Sequence, residues 1–524
     1  MSEKTLMKQN SNSAKSFLAS QSDSQRKGSV DSYSQVTPRL LLAVAVSILG
    51  SSLPGGYCLG VINTPQETIR RWLRGVVLNS YGLELTEKGE VSLWAVVVSI
   101  FVGGAIVGAS VGGRVTDAVG RRTAMLLNHL LCIVSAFFLL FCKFVGSAEL
   151  LVVGRFTSGL YTGLATCIVP LYLSEVAPFK LRGVMGVIFP MGMSVGVLIA
   201  QVLGLESILG TENGWPFLLG GFMVLPAVAV LAHPLLPESP TYCYIVAQDE
   251  TRGLKELHRL RGSDNLLVEA EEAALKVLAH QMKDDQWRNN WSAMWLLRSS
   301  TYRLPLLLTM MANAAQQFSG INAVMYYSTL IFRDAGLDLH QSQLASIGAG
   351  AINGLMSVLA LSLVRHCRRR VLLLTSMVLC AVCQAMLIVA LWFLPTAPWA
   401  SYCAIFALMA YITMYAIGLG PIPFMLPTEL FPVGPRSVGI AVGGTTNWLS
   451  NMVVGLTFPL IQAAIGEFSF VLFIASSIVL GSVMYRYLPE TFGKGILTES
   501  KDELSSESSK KTTLDLAIDN PSAV

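Results

Sequence analysis

The sequence predicts an all-α membrane protein with twelve transmembrane helices, arranged as two pseudo-symmetric six-helix bundles with a cytoplasmic helical loop domain. Three observations lead to this prediction. Of the 524 residues, 53% are apolar and only 13% are charged, whereas a soluble domain carries about 25% charged residues. The apolar residues form separate runs that are long enough to cross a bilayer. Short motifs from the first half of the chain recur in the second half, which is typical of a duplicated architecture.

Each of the twelve apolar runs is expected to be a helix, because a backbone in lipid must satisfy its own hydrogen bonds. An even number of spans places both termini on the same side of the membrane. The runs lie near residues 40–62, 91–112, 123–142, 150–172, 184–204, 215–236, 304–332, 343–364, 371–394, 401–427, 437–460 and 468–488.

Basic residues predict which side that is. The loops after the fifth, ninth and eleventh runs carry no Lys or Arg, although the longer first loop does. The positive-inside rule therefore places both termini in the cytoplasm. In the short loops between the second and third, the fourth and fifth, and the eighth and ninth runs, the basic residues are Arg114, Arg121, Arg122, Lys180, Arg182, Arg365, Arg368, Arg369 and Arg370.

Composition divides the chain into five parts. The segment before the seventh run is charged and has a helical pattern, whereas both ends of the chain are rich in polar residues. No cleavable signal peptide is expected, and the nine cysteines are expected to be small core residues rather than metal ligands. The predicted parts are a disordered cytoplasmic tail (1–38), an N-terminal bundle (39–236), a cytoplasmic helical loop domain (237–302), a C-terminal bundle (303–488) and a second cytoplasmic tail (489–524).

Charged residues repeat between the two halves. Glu175 and Arg182 are seven residues apart, and Glu429 and Arg436 repeat that spacing 254 residues later. Pro-Glu-Ser at 237–239 likewise returns as Pro-Glu-Thr at 489–491. Both copies of the Glu and Arg pair fall at the predicted cytoplasmic mouth. We therefore expect a latch of charge pairs there, with passive topology charges as the alternative.

The turns between the second and third and between the eighth and ninth runs extend this latch unequally. The first contains Asp117, which can pair with a nearby arginine, but the second (365–370) has no acid. Its partner must then be Glu429, Glu238 or Glu490, or the latch is weaker in this half. The predicted latch residues are Asp117, Arg121, Arg122, Glu175, Arg182, Glu238, Arg369, Arg370, Glu429 and Arg436.

Amide side chains lie inside three spans of the second half. Such groups are unfavourable in lipid unless they face a wet cavity or each other. Amides both donate and accept hydrogen bonds, so they suit the hydroxyl groups of a neutral polyol, and a tryptophan offers a flat apolar face. The alternative is that the amides only hold helices together. The predicted binding residues are Gln316, Gln317, Asn322, Asn353, Trp448 and Asn451.

The tenth span is interrupted by Gly418, Gly420, Pro421 and Pro423, which predict a hinge or, as the alternative, a passive kink.

No Asp, Glu or Lys lies near the middle of a span, which favours passive transport over proton symport. Neither a nucleophile with its base nor a phosphate loop is visible. We therefore expect neither an enzyme nor a cofactor or metal site, and the small net charge of +4 gives no indication of nucleic-acid binding.

Several specific motifs occur together: Gly113-Arg with Asp117 and Gly120-Arg-Arg122, Pro170-Leu-Tyr-Leu-Ser-Glu175, Pro237-Glu-Ser-Pro240, Gln316-Gln317 with Gly320-Ile-Asn322, and Pro489-Glu-Thr491. Over about residues 39–494 the chain thereby resembles the sugar porter family of the major facilitator superfamily. Gly56-Tyr57 with Gly60-Val-Ile-Asn63 and Pro65-Gln66, and Ile199-Ala-Gln201 with Gly204-Leu205, are similar to the animal facilitative hexose transporters within that family. The resemblance implies hexose uniport by alternating access in the plasma membrane. It also implies that the predicted amides and Trp448 contact sugar. Cys58 stands where proton-coupled relatives carry an aspartate.

The chain departs from the family pattern at the binding site. Pro190 replaces a glutamine, Ala416 replaces an acid, Phe424 replaces a tryptophan, and residues 313–315 read Asn-Ala-Ala instead of Gln-Leu-Ser. Glucose, fructose or another polyol therefore remain open. The alternatives are a carrier of another neutral polyol or of urate, or a sugar sensor that does not transport. The expected partners are a hexose and the lipid bilayer; the oligomeric state is open, and a monomer suffices for transport.

Overall fold

The computed structural model describes residues 36–84, 86–178, 181–262, 265–284, 292–325, 332, 336–397 and 399–491, and within these residues every regular element is helical. Most of the two predicted tails lies outside this part of the chain. Ten segments are long and apolar enough to cross a membrane, and one of them, Val433–Tyr487, contains two helices. The helix Arg303–Phe318 begins a further span. The predicted architecture of twelve transmembrane helices is confirmed.

Seven helices form the first half of the molecule. Side-chain caps define several of their ends: Thr37 accepts from the backbone N–H of Leu40, and Ser147 accepts from that of Leu150. The second helix is a polar connection between two spans. The helices are α1 (Pro38–Gly60), α2 (Gln66–Tyr81), α3 (Glu87–Val119), α4 (Arg121–Val145), α5 (Ala148–Val176), α6 (Arg182–Leu203) and α7 (Trp215–Leu235).

Three shorter helices form the predicted loop domain: α8 (Glu250–Arg261), α9 (Asn265–Asp284) and α10 (Ala293–Arg298). Asp249 caps the start of α8. Arg261 at its end donates to the carbonyl oxygen of Val176 at 3.0 Å, which satisfies a free carbonyl at the end of α5. The loop helices are therefore attached to the end of the first bundle at which α5 ends, which we call the charged end.

Seven helices form the second half: α11 (Arg303–Phe318), α12 (Leu339–His366), α13 (Arg369–Phe393), α14 (Ala400–Ile417), α15 (Ile422–Leu430), α16 (Val433–Ile465) and α17 (Phe470–Tyr487). The tenth predicted span is divided between α14 and α15. This division follows from the local sequence, since glycines and prolines at 418–423 do not support a continuous helix.

Glycine allows the close packing inside the first bundle. On α3, a Cβ atom added at Gly104 would lie 2.2 Å from the carbonyl oxygen of Phe156 on α5. On α5, a Cβ atom at Gly159 would lie 1.9 Å from the carbonyl oxygen of Phe101. Small residues let two membrane helices approach until their backbones touch, which is how dispersion forces and helix packing hold a bundle together in lipid.

The two halves meet along two seams. In one, α3 and α5 face α16, and the Ser437 hydroxyl donates to Asp117 at 2.5 Å. In the other, α6 runs antiparallel to α12, and the hydroxyl oxygens of Ser194 and Ser357 lie 3.1 Å apart. The space between the two seams contains the cavity described below.

We expect Gly104→Val to destabilise the first bundle, because the new side chain would meet the backbone of α5. The neighbouring Gly103 provides a matched control, since a Cβ atom there meets nothing within 4 Å. Gly103→Val should retain the thermal unfolding midpoint of the purified protein in detergent, whereas Gly104→Val should lower it by several degrees or prevent recovery. Equal midpoints for the two variants would contradict this packing.

Candidate functional site

A cavity that is partly open to solvent lies between the two halves. Its lining contains no charged residue among those that the structure describes. All six residues predicted to bind a solute lie in this lining: Gln316, Gln317, Asn322, Asn353, Trp448 and Asn451. The structure thus brings together side chains that are up to 135 residues apart in the sequence.

The first amides are positioned by a break in the seventh span. Helix α11 ends at Phe318, and Gly320 has a φ of +86°, a conformation that side-chain-bearing residues rarely adopt. The carbonyl oxygen of Ser319 is then free of the helix, and it accepts from Gln384 at 2.7 Å and from the Tyr411 hydroxyl at 2.8 Å. Two neighbouring helices therefore fix the break in place.

The amides form one hydrogen-bonded network. The Gln317 side-chain nitrogen donates to Asn447 at 2.9 Å, the Asn322 nitrogen donates to Gln317, and the Asn447 nitrogen donates to Gln316. These side chains therefore hold one another in place while still lining the cavity. Asn447 was not among the predicted binding residues, although its position next to Trp448 in the sequence was a usable signal.

Gln316 also provides a hydrogen-bond donor for carbonyl groups that the break in the tenth span leaves free. Its nitrogen donates to the carbonyl oxygens of Leu419 at 3.0 Å and Gly420 at 2.7 Å. The predicted hinge residues Gly418, Gly420 and Pro421 lie in the gap between α14 and α15, and Pro423 lies in the first turn of α15. A helix break and an amide network are thus physically joined.

Trp448 contacts both halves of the molecule. Its indole N–H donates to the Thr166 hydroxyl on α5 at 3.1 Å, and its ring packs edge-on against Phe101 of α3. Because the indole N–H is already bonded to Thr166, only the apolar ring is available to a solute.

The opposite wall of the cavity is largely apolar. Phe189 and Phe424 have ring centroids 5.5 Å apart, and Pro190, Ala416 and Met193 lie in the same lining. Three of these residues, Pro190, Ala416 and Phe424, are the departures from the family pattern. Most of the amide side chains in the lining therefore come from the second half.

Buried charges connect the helices at the charged end of the first half. Arg121 donates from Nε and Nη2 to the two carboxylate oxygens of Glu175, at 2.9 and 3.1 Å, and its Nη1 lies 3.1 Å from Asp117. The Ser239 hydroxyl donates to Glu175 at 2.6 Å. Arg121 is only 1% exposed. Two-point contact of this kind satisfies a buried arginine and fixes its orientation.

Glu238 completes this cluster as a cap. One of its carboxylate oxygens accepts the backbone N–H groups of Arg121 at 3.1 Å, Arg122 at 3.0 Å and Ser239 at 2.9 Å. A carboxylate at the start of α4 also interacts favourably with the helix dipole. Burial nevertheless dominates and raises the pKa of Glu238 above its usual value.

The second half repeats these contacts. Arg369 lies 3.4 Å from Glu429, Glu490 accepts the backbone N–H of Arg369 at 2.9 Å, and Thr491 donates to Glu429. The acids that contact the turn at 365–370 are therefore Glu429 and Glu490, whereas Glu238 contacts residues of the first half. Arg370 donates to the carbonyl oxygen of Tyr485.

The repeated Glu and Arg spacing does not correspond to the ion pairs in the structure. Glu175 pairs with Arg121 and not, as the spacing suggested, with Arg182, which begins α6. Arg436 donates to the carbonyl oxygen of Phe431 at 3.2 Å. Contacts between helices decide the pairing, and sequence spacing does not show them. A Cβ atom at Gly183 of α6 would lie 2.4 Å from the Arg369 guanidinium, so the pair of the second half packs onto the first half.

Comparison with known proteins supports the resemblance. The model of the family described as "Sugar (and other) transporter" matches residues 43–499. Facilitated glucose transporter member 1 of solute carrier family 2 from Gallus gallus is 37% identical over 465 residues, which cover 89% of this chain and 93% of the relative. Member 3 from Homo sapiens is 36% identical over a region that covers 88% of this chain and 91% of the relative.

Solved structures show the same fold. The proton:xylose symporter XylE bound to 6-bromo-6-deoxy-D-glucose has a TM-score of 0.76 at 23% identity, covering 87% of this chain and 97% of that one. The partially occluded inward-open XylE from E. coli has a TM-score of 0.69. With a family model that spans most of its length and relatives at this level of identity, the chain belongs to the sugar transporter family.

Proposed function

We propose that this protein carries a hexose across the membrane by facilitated diffusion, through alternating access of the central cavity to the two sides. The single observation that carries the proposal is the uncharged, amide-lined cavity enclosed between two similar bundles. Amides match the hydroxyl groups of a sugar, and the Trp448 ring matches its C–H surface. The relatives named as facilitated glucose transporters support the same substrate class. Family membership also agrees with the expectation that the chain is not an enzyme.

Uniport is supported by the nature of the cavity. Coupling to protons needs a group on the pathway that gains and loses a proton. The described lining has no acid, and the family resemblance implies that Cys58 stands where proton-coupled relatives carry an aspartate. We place the protein in the plasma membrane with both termini and the charged end in the cytoplasm, which the distribution of basic residues supports.

The charged clusters act as the cytoplasmic gate. Arg121 with Glu175 and Arg369 with Glu429 each join helices of one half and so fix the two surfaces that meet at this end. The contacts of Arg369 with the first turn of α6 and of Ser437 with Asp117 run between the two halves. The amides hold the sugar while the bundles rock around it. A carrier of another neutral polyol is the second candidate, favoured by the apolar wall at Pro190 and Phe424.

The function is tested by uptake of labelled glucose and fructose into proteoliposomes, with and without a pH gradient. We expect saturable, non-concentrative uptake of at least one hexose that does not depend on the proton gradient. Absence of flux for every hexose would exclude the proposed function. Accumulation above equilibrium, driven by protons, would exclude uniport.

Gln317→Ala should weaken the apparent affinity for the transported hexose. The variant removes the bonds to Asn447 and Asn322, and each lost hydrogen bond costs about 0.5–1.5 kcal/mol. KM should therefore rise roughly tenfold while the amount of protein at the cell surface stays the same. Unchanged kinetics would remove this residue from the binding site.

Arg369→Gln should open the charged end. The variant leaves the buried Glu429 without its cation, and breaking a buried pair costs about 3–5 kcal/mol. Labelling of a cysteine placed at Ser437 by an impermeant maleimide, applied from the cytoplasmic side, should increase several-fold. The native Cys367 is first replaced by serine.

The matched control is Arg252→Gln. This arginine is 47% exposed and lies 3.9 Å from Glu238, so its loss should leave the labelling unchanged. The combination of Arg369→Gln with Glu429→Gln should increase labelling by less than the sum of the single changes, because both remove the same contact. Additive effects, or equal labelling in all variants, would argue against this gate.

A further inference from the structure

The first span contains an irregular turn that is held by two neighbouring helices. Residues Ile48–Ser52 of α1 form a π-helix, and Pro54 has no N–H to donate to the carbonyl oxygen four residues before it. The Tyr161 hydroxyl of α5 lies 2.9 Å from that oxygen and 2.7 Å from the carbonyl oxygen of Ser51. The Ser51 hydroxyl in turn lies 3.1 Å from Nε2 of His129 on α4. One side chain from each of two helices thus fixes this turn.

The second half has the same arrangement at the break in the seventh span. The carbonyl oxygen of Ser319 accepts from Tyr411 on α14 and from Gln384 on α13, and the hydroxyl oxygens of Ser319 and Tyr411 lie 3.4 Å apart. The first, third and fourth spans of each half therefore supply a serine, a histidine or glutamine, and a tyrosine. Tyr161 and Tyr411 are 250 residues apart, close to the spacing of the repeated charges. We call these groups the first pivot (Ser51, His129, Tyr161) and the second pivot (Ser319, Gln384, Tyr411).

The two pivots act on the backbone and not on a solute. Each of their six residues is at most 1% exposed, and none lies in the described lining of the cavity. Buried polar groups of this kind are tolerable because they bond to one another and to the irregular backbone. At the first pivot a glycine makes the room, since a Cβ atom at Gly50 would lie 2.3 Å from Nε2 of His129.

Both spans continue beyond their pivots to the side of the cavity that is remote from the charged end. Helix α1 begins at the charged end, where Arg39 donates to the carbonyl oxygen of Arg259 in the loop domain at 3.1 Å. Helices bend at π-turns and at breaks, so the segments beyond the pivots can tilt while the rest of each bundle stays packed. These segments line the cavity with Leu59, Gly60 and Asn63 of the first span and with Ile321, Asn322 and Met325 of the seventh.

The pivots differ in their distance from the amides that bind a solute. The Ser319 hydroxyl donates to the carbonyl oxygen of Gln316 at 2.7 Å, and lining residues stand two positions before and two positions after Ser319. In the first span the nearest described lining residue is Leu59, eight residues after Ser51 and about 12 Å along the helix. A change at the second pivot therefore displaces binding amides, whereas a change at the first alters only the direction of the segment beyond it.

We propose that Ser51, His129 and Tyr161 are positioning residues that set the rate of transport. The first pivot fixes the direction in which residues 53–60 tilt over the solute, and it contributes nothing to affinity. The second pivot is its counterpart and controls both rate and affinity. This inference rests on the proposed function and assigns a part in it to three residues that never touch the solute.

The test compares Tyr161→Phe with Tyr411→Phe, since each removes one hydroxyl group and keeps the ring. Uptake of the hexose that the wild type transports is measured in proteoliposomes, per amount of reconstituted protein. In Tyr161→Phe the maximal rate should fall about three- to tenfold, because a segment that is no longer held closes in the productive direction less often. Its KM should stay the same. In Tyr411→Phe the rate should fall and KM should rise, because the neighbouring amides shift.

Thr162→Val is the matched control. Thr162 follows Tyr161 on α5 and is equally buried, but its hydroxyl donates at 2.8 Å to the carbonyl oxygen of Ser158 in the same helix. The variant removes a buried hydroxyl group at nearly constant volume, and rate and KM should both stay unchanged.

The histidine gives a second pair of variants, which decides the proposal in the case that Tyr161→Phe yields no stable protein. His129→Leu should lower the maximal rate in the same way as Tyr161→Phe. His129→Gln should keep the wild-type rate, because the amide of Gln384 does the corresponding work in the second pivot. Equal rates for the two His129 variants would contradict the role of this side chain.

Hydrogen–deuterium exchange follows the first pivot without any substrate. Backbone amides of residues 53–60 should exchange several-fold faster in Tyr161→Phe than in the wild type, and Thr162→Val should match the wild type.

The outcomes separate the two proposals. If the wild type transports a hexose and Tyr161→Phe keeps its maximal rate or raises its KM, the first pivot is wrong and the proposed function stands. If the wild type moves no hexose, the proposed function is wrong and so is the control of rate. The exchange measurement then decides alone whether Tyr161 holds the segment, and equal exchange in Tyr161→Phe and the wild type would overturn that as well.

Discussion

Two interrupted helices impose the constraint on which the second half of the molecule depends. A break inside a membrane helix frees backbone carbonyl groups that lipid cannot satisfy. The break at Gly320 is satisfied by Gln384 and Tyr411, and the break after Gly418 is satisfied by Gln316. These bonds do more than stabilise two irregular segments. They fix the amides of α11 next to those of α16, so that the cavity wall is preorganised before a solute enters.

At the charged end, too, buried polar groups find their hydrogen-bond partners on other helices. A guanidinium as buried as Arg121 is tolerable only when its donors are matched, and Glu175, Asp117 and the carbonyl oxygen of Thr116 match them. The second half uses corresponding residues, with Arg369, Glu429 and Glu490 in equivalent roles. Duplication therefore preserved a contact pattern and not merely a sequence pattern.

The sequence was sufficient to predict the architecture, because hydrophobic runs and basic loops act locally. It was also sufficient to locate five amides of the cavity lining, although not Asn447, since polar groups inside a span are unusual wherever they occur. It did not predict which polar and charged side chains pair with each other. The partner of Glu175 is Arg121, 54 residues away, and the indole of Trp448 bonds to Thr166, 282 residues away. Such contacts depend on which faces of two helices meet, and that is decided by packing over the whole bundle.

The choice of charges for the gate has a physical reason. A carrier must close one end firmly and then release it, and reversing a population from 1:99 to 99:1 takes about 5.5 kcal/mol of differential stabilisation. Replacing a buried ion pair by apolar side chains is often neutral or stabilising by about 1–4 kcal/mol. An apolar side chain in place of Arg369, which packs onto the first half, would therefore hold the closed state more tightly. Charged groups avoid this, since water that enters the opening mouth solvates them when the two halves separate. The buried pairs thus make closure specific, and the wet mouth makes it reversible.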